Sequence, residues 1–131
     1  MDSSSIELNG SEVESIQVDG ERVILRFSRA IIIKTITGST ERTRWWQAGE
    51  LIFEGAEVEG DLPECPTICA GGDVGENIYT YRDMIPLPLE SQGRAHCDLR
   101  FEGDQGRLQV QGEGVKLKMD DRPRYIEHLR A

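Results

Sequence analysis

Short runs of alternating apolar and polar residues recur along the whole chain, and no apolar period of 3.6 persists for ten residues. In "SIQVDGERVILRF", residues 15–27, Ile16 and Val18 share one face of a first run. Val23, Leu25 and Phe27 share one face of a second, while Arg22 and Arg26 face water and Ile24 breaks the alternation. Asp19-Gly20 stands between the runs. Asp-Gly tolerates the positive φ of a two-residue hairpin turn, so the segment predicts two antiparallel strands. Upstream, "IELNGSEV" reads as a short strand and an Asn-Gly turn.

"RAIIIKTIT" continues as strand, because its isoleucines and threonines are stiff at χ1 and favour the pleated backbone. Ala30 and Ile32 point one way, Ile31 and Ile33 the other. A strand apolar on both faces has to be covered on both. A second copy in a two-fold dimer is the simplest cover, and the 122–131 tail is the alternative within the chain. "RTRWW", a loop around Gly49, and "ELIFEGAEVEG" read as a second hairpin.

The cleanest alternation lies near the end of the chain, in "AHCDLRFEGDQGRLQVQGEGVKLKM". Cys97, Leu99 and Phe101 alternate with His96, Asp98, Arg100 and Glu102. "GDQG" turns the chain, Leu108 and Val110 form the next inner face, "GEG" turns it again, and Val115, Leu117 and Met119 follow. This predicts a three-stranded meander with one wet face, and places Cys97 inside as a small buried hydrophobe. The tail "RPRYIEHLRA" reads as an edge strand or one helical turn.

Turn signals about every 8 to 12 residues and the absence of helical periodicity predict an all-β fold. The expected architecture is an antiparallel β-sandwich or flattened barrel of about 8–10 strands with little or no helix. Residues 1–131 suit one domain. The stretch from about 60 to 85 holds "ECPTICAGGDVGENIYTYRDMIP" and is the one connection too long for a turn. Structureless loops beyond about 12–15 residues are usually functional or disordered, so an acidic loop bordering any site is expected here, with residues 78–82 as a strand within it.

Charge sharpens the picture. The net charge is −9. Residues 45–81 hold eight acids and no base, whereas 82–131 hold nine of each. Such a chain repels phosphate backbones, so no nucleic-acid partner is expected. An acidic stretch attracts a cation or a basic protein, or simply solubilises. No segment approaches the roughly 18 apolar residues of a membrane helix. The start lacks the basic and apolar regions of a secretory signal, and three cysteines leave one unpaired, so a cytoplasmic location is expected.

Candidate chemistry is sparse. Cys65 and Cys69 are spaced C-x3-C without the second pair a zinc site needs. They stand as weak metal candidates, as a redox pair, or as two ordinary thiols. His96 and Cys97, adjacent on a strand, point apart and suit no shared ion. Asp61, Glu64, Asp73, Glu76 and Asp83 supply oxygen ligands for a hard cation, but "GGDVGEN" does not match a calcium loop. Neither G-x-S-x-G nor H-x-x-x-H occurs, and a non-enzymatic role with no cofactor is expected.

Trp45, Trp46, Tyr79 and Tyr81 flank or lie within the acidic stretch. Aromatic residues supply much of the energy of protein interfaces. The functional expectation is therefore an interaction module that binds a basic protein through a surface of Trp45, Trp46, Glu57, Glu59, Asp61, Tyr79 and Tyr81. An acidic inhibitor or immunity-type protein is one example. The alternative is a small-ligand or metal-binding β-domain with its site under the 60–85 loop.

Overall fold

In the computed structural model, which describes residues 3–104 and 106–130, the alternating runs become ten strands. They are β1 (Ser3–Asp19), β2 (Arg22–Thr35), β3 (Arg42–Glu54), β4 (Glu57–Glu59), β5 (Thr67–Glu76), β6 (Tyr79–Arg82), β7 (Met84–Leu87), β8 (Glu90–Phe101), β9 (Arg107–Met119) and β10 (Arg124–Leu129). One 3₁₀ turn, Glu102–Asp104, is the only helix among the described residues. All pairings are antiparallel, and β1–β2–β3–β9–β8–β5 close on β1 as a six-stranded barrel. The other four strands extend it: β7 pairs with β1, β10 with β3, β6 with β5 and β4 with β9.

The inward positions are those the alternation marks. Leu25, Phe27, Leu51, Phe53, Leu99 and Leu108 are fully buried, and each such side chain contributes about 1.5–3 kcal/mol by leaving water. Cys97 is 3% exposed on the same inner face. The barrel interior is thus filled by side chains.

The strands are longer and more bent than their local patterns imply. Asn9-Gly10 does not turn the chain. It forms a bulge within β1, where the register to β2 jumps between Glu7 and Glu12. Ser11 holds this bulge: its fully buried hydroxyl donates to the Glu7 carbonyl at 2.6 Å and accepts from the Ile31 amide at 2.9 Å. The bend lets one strand serve two neighbours, with residues 4–7 pairing with β7 and residues 12–13 with β5.

β3 is likewise continuous through Gly49, where a loop is expected. Its first half pairs with β10 and its second half with β9. The exchange happens at Gln47, which is nearly buried and whose side-chain amide donates to the carbonyls of Asp120 and Asp121. Asp120 returns its amide to the Ala48 carbonyl at 2.9 Å. "GEG" also lies inside a strand: β9 runs through it, so the expected three-stranded meander is two long strands, β8 and β9.

The expected 60–85 loop is the largest departure. Residues 60–66 lack regular structure; apart from the turn at Asn77-Ile78 and the bend at Asp83, the remainder forms β5, β6 and the start of β7. The glycines that suggest a loop serve close packing. At Gly75 the His96 imidazole lies against the backbone, where an added Cβ would meet its Cε1 at 1.9 Å. The tail takes the strand alternative, as β10. Its Glu127 pairs with Arg44 at 2.6 Å in the same row as Ile33, which is 7% exposed within the single chain. The outer side of the isoleucine run at Ile33 is therefore covered without a second copy.

The first hairpin turns one residue later than Asp19-Gly20 suggests. Asp19 pairs with Arg22, and the loop is Gly20-Glu21 with φ +63° at Gly20. Positive φ at the first central position alone marks the II′ pattern, which asks for glycine there. Gly20→Val is expected to cost about 1–3 kcal/mol in chemical denaturation, because a β-branched side chain is strained at positive φ.

Asp120 also receives a hydrogen bond from Arg26, which holds its carboxyl below the ordinary range. A depressed folded-state value contributes stability above the unfolded value of about 3.9 and loses it as pH falls through the folded one. Asp120→Asn is expected to flatten the acid limb of the stability–pH curve below about pH 4 while leaving its shape near neutrality unchanged.

Candidate functional site

The β3–β4 connection gathers carboxylates from three parts of the chain. Gly55 and Ala56 turn the chain out of β3 into the edge strand β4, and the Ala56 amide donates to the Glu21 carbonyl at 2.7 Å. That bond brings the Asp19–Glu21 hairpin tip beside Glu57. On the other flank Glu113 folds across Gly55, its carboxylate 3.2 Å from where a Cβ would stand. Asp19, Glu21, Glu57, Glu59, Asp61 and Glu113 are all exposed. Among the described residues none of these six carboxylates has an ion-pair partner, although Glu54 next to them pairs with Arg22 at 2.9 Å. Val18, on the same hairpin, is 50% exposed, so the corner combines negative charge with an apolar contact.

The register decides what else shares this surface. Glu57 lies beside Gln111, which lies beside His96; Glu59 lies beside Gln109, which lies beside Asp98. Cross-strand partners share a face, so these residues form the outer face. A groove of about 980 Å³, lined by Gln92, Gly93, Arg94, Ala95, His96, Gln111, Gly112 and Glu113, runs beside Glu57 along the bulge of β8.

Tyr79 and Tyr81 lie on the opposite face of the same sheet. Tyr81 pairs with Val74 and Val74 with buried Cys97. The two phenol rings stack with centroids 6.5 Å apart. Burial first, then Glu76 and Tyr79, raise the Tyr81 pKa above its ordinary value. At the adjoining hairpin tip Ile78 is 88% exposed.

The tryptophans stand farther away. Eight residues of β3 separate Trp46 from Glu54, roughly 26 Å at the usual rise of a strand. Trp46 lies on the outer face between two cations, with the Arg29 and Arg124 guanidinium carbons 5.7 and 5.2 Å from its ring centroid. Trp45 points to the inner face, with the Lys34 ammonium 4.4 Å above its ring and Tyr125 edge-on at 5.2 Å. The structure therefore brings Glu57 and Glu59 together. It sets Tyr79 and Tyr81 behind that sheet and places Trp45 and Trp46 in a basic setting at the other end of β3.

The cysteines are free thiols in three environments. Cys69 is fully buried in the barrel wall, and burial pushes its thiol up to about 11. Burial raises Cys97 further, while half-buried Cys65 rises for the same reason against a backbone hydrogen bond from Ile16. Among the described residues no three His, Cys, Asp or Glu side chains converge to hold an ion. Of the oxygen donors, Asp73 pairs with Arg82 at 3.4 Å and Asp83 accepts from the Gly72 amide at 3.0 Å. A groove of about 490 Å³ adjoins the irregular stretch, lined by Glu64, Cys65, Pro66, Thr67, Ile68, Glu102 and Gly103. Among the described residues no helix is long and apolar enough to cross a membrane.

No known protein family, curated protein or solved structure shows a detectable match to this chain. Asp19, Glu21 and Glu113 are the members of the acidic corner that sequence reading misses. They come from segments whose own charge is balanced, so the uneven distribution along the chain does not mark them. The hairpin at Gly20 was the one usable signal, because a tight turn beside a strand end carries its flanking acids to one edge.

Thiolates, not thiols, react, and burial disfavours the charged form. In native protein at mildly alkaline pH, maleimide is expected to modify Cys65 first, and Cys69 and Cys97 only on unfolding. Peptide mapping of the labelled sites reads this order, and rapid native labelling of Cys97 would contradict the inner-face position.

Proposed function

We propose that the protein is a non-enzymatic interaction module that docks a basic protein partner on the acidic corner around Gly55–Ala56. The observation that supports this most is the charge inventory of the corner. Glu57 and Glu59, with Asp61 two residues on, are joined there by Asp19, Glu21 and Glu113, and among the described residues none of the six has an ion-pair partner. Clustered like charges raise the local potential and destabilise the fold through mutual repulsion unless a partner or ions offset them. The neighbouring groove and exposed Val18 give such a partner concave and apolar contacts. Buried apolar and aromatic anchors supply affinity, while the charges steer encounter.

The test compares wild-type protein with Glu57→Gln/Glu59→Gln/Asp61→Asn as bait in lysate of the native host at low and high salt. Exposed charges are screened within about 8–10 Å at physiological ionic strength. A basic protein retained by the wild type at low salt is therefore expected to be lost at high salt and from the triple variant. Thermal unfolding of the triple variant is expected at or slightly above that of the wild type, since part of the mutual repulsion is relieved. Identical retention by both baits at both salts would reduce the corner to a solubilising surface.

A further inference from the structure

The chain carries its own basic surface opposite the acidic corner. Residues 29–46 and 122–130 hold seven Arg and Lys against two acids, within a chain of net charge −9. The fold brings these segments together as the far half of β2, the near half of β3, and β10. On the outer face there, Arg42, Arg44 and Trp46 alternate along β3, with the Arg29 and Arg124 guanidinium groups over the indole and Glu7 and Glu12 of β1 on the adjoining rows. Ile31 lies beside Trp46 in the register, half-buried. Arg44 is engaged by Glu127 and Arg29 by Glu12 at 3.7 Å, while among the described residues Arg42 and Arg124 have no carboxylate partner. Arginine and tryptophan are the residues most enriched where protein interfaces concentrate their binding energy. A guanidinium held flat on an aromatic ring keeps its outer N–H groups free for carboxylates.

We propose that this Arg–Trp face docks the acidic corner of a second copy of the chain, head to tail. The inference rests on the acidic corner being a docking surface and names its basic partner as the chain itself. Both halves of the contact are then present: Arg124 over Trp46 and Arg42 farther along the same strand face on one copy, Glu57, Glu59 and Asp61 on the next. Because the two surfaces lie at opposite ends of β3, the contact is heterologous. It leaves one acidic and one basic surface open and so permits growth beyond a dimer.

Salt should act in two directions. The screening length is about 30 Å in ~0.01 M salt, about 8 Å at ~0.15 M and about 3 Å at ~1 M. At the lowest salt the net negative charges of two whole molecules repel each other. At the middle value that repulsion is screened while carboxylate–guanidinium pairs in contact still attract. At the highest the pairs are screened as well. Association is expected to peak in the middle.

Sedimentation velocity over a concentration series at these three salt levels tests the proposal. Wild-type protein is expected to grow beyond dimer with concentration, most at the middle salt. Glu57→Gln/Glu59→Gln/Asp61→Asn keeps only the basic surface, and Arg42→Gln/Arg124→Gln keeps only the acidic one. Each alone is expected to associate at least about tenfold more weakly, a change of ~1.4 kcal/mol. Mixed, they are expected to form a one-to-one dimer that grows no further, since only one productive contact remains. Arg42→Gln/Arg122→Gln, which preserves the Arg124–Trp46 stack, replaces the basic-surface variant if thermal unfolding shows that one to be destabilised. Wild type that stays monomeric at high micromolar concentration in all three salts overturns the proposal, as does a mixture that forms no dimer. So does a monomer that binds a fluorescein-labelled thymidine oligonucleotide through Arg42 and Arg124, which would assign the face to nucleic acid. Failure of self-docking remains distinct from failure of the acidic corner, because Arg42→Gln/Arg124→Gln keeps that corner and still retains any foreign basic protein.

Discussion

The architecture depends on β3 exchanging one hydrogen-bonding partner for another halfway along its length. A strand has two edges, and an unpaired edge inside a sheet leaves backbone N–H and C=O groups without partners. On one edge β3 keeps β2 throughout. On the other it meets β9 from Gly49 onward and β10 up to Trp46. The gap between those partners is filled by the Gln47 side chain, which donates to the carbonyls of the Asp120–Asp121 turn. With that amide in place, β9 can leave the sheet, turn, and return as β10 on the same edge. Barrel closure and the tail sheet follow from the one exchange.

The same economy of neighbours explains the two poles. Because β3 runs from the tail sheet to the β4 corner, whatever lies at its two ends is held apart by the full strand. Arginines cluster where β10 joins. Carboxylates cluster where β4 leaves, drawn in by the Ala56–Glu21 hydrogen bond and by the fold of Glu113 across Gly55. Along the middle of the outer surface, ion pairs such as Arg26–Asp120 and Arg107–Asp98 balance each other.

Much of this is legible in the sequence alone. Alternation placed Leu25, Phe27, Cys97, Leu99 and Leu108 inside, and the paucity of helix followed from the same pattern. What misled was glycine. Eight of the 14 glycines lie within strands rather than between them. They sit at bulges, bends and close approaches, such as that of His96 to Gly75, which depend on a neighbour remote in sequence. A local reading sees only a residue that breaks strands, so it divides β1, β3 and β9 and reads β5 as loop. The acidic half of the candidate surface was visible as composition. Its separation from Trp45 and Trp46 was not, because adjacency along the chain hides the length of a strand. The basic end is not visible in the sequence because its two segments are far apart and each is modest by itself.

The partner exchange in β3 also sets an order on biosynthesis. β1, β2 and β3 leave the ribosome early and are able to pair with one another at once, since their connections are short. The strand that completes the free edge of β3 is β9, which begins more than fifty residues after β3 ends. Contacts between distant segments form late because the entropy of closing the intervening chain has to be met first. Until β9 emerges, a three-stranded sheet with the apolar Leu51 and Phe53 face and an open edge is exposed to other nascent chains. A slowed ribosome anywhere between β4 and β8 would prolong that state, so codon choice over residues 57–101 bears on yield although those residues lie outside the first sheet.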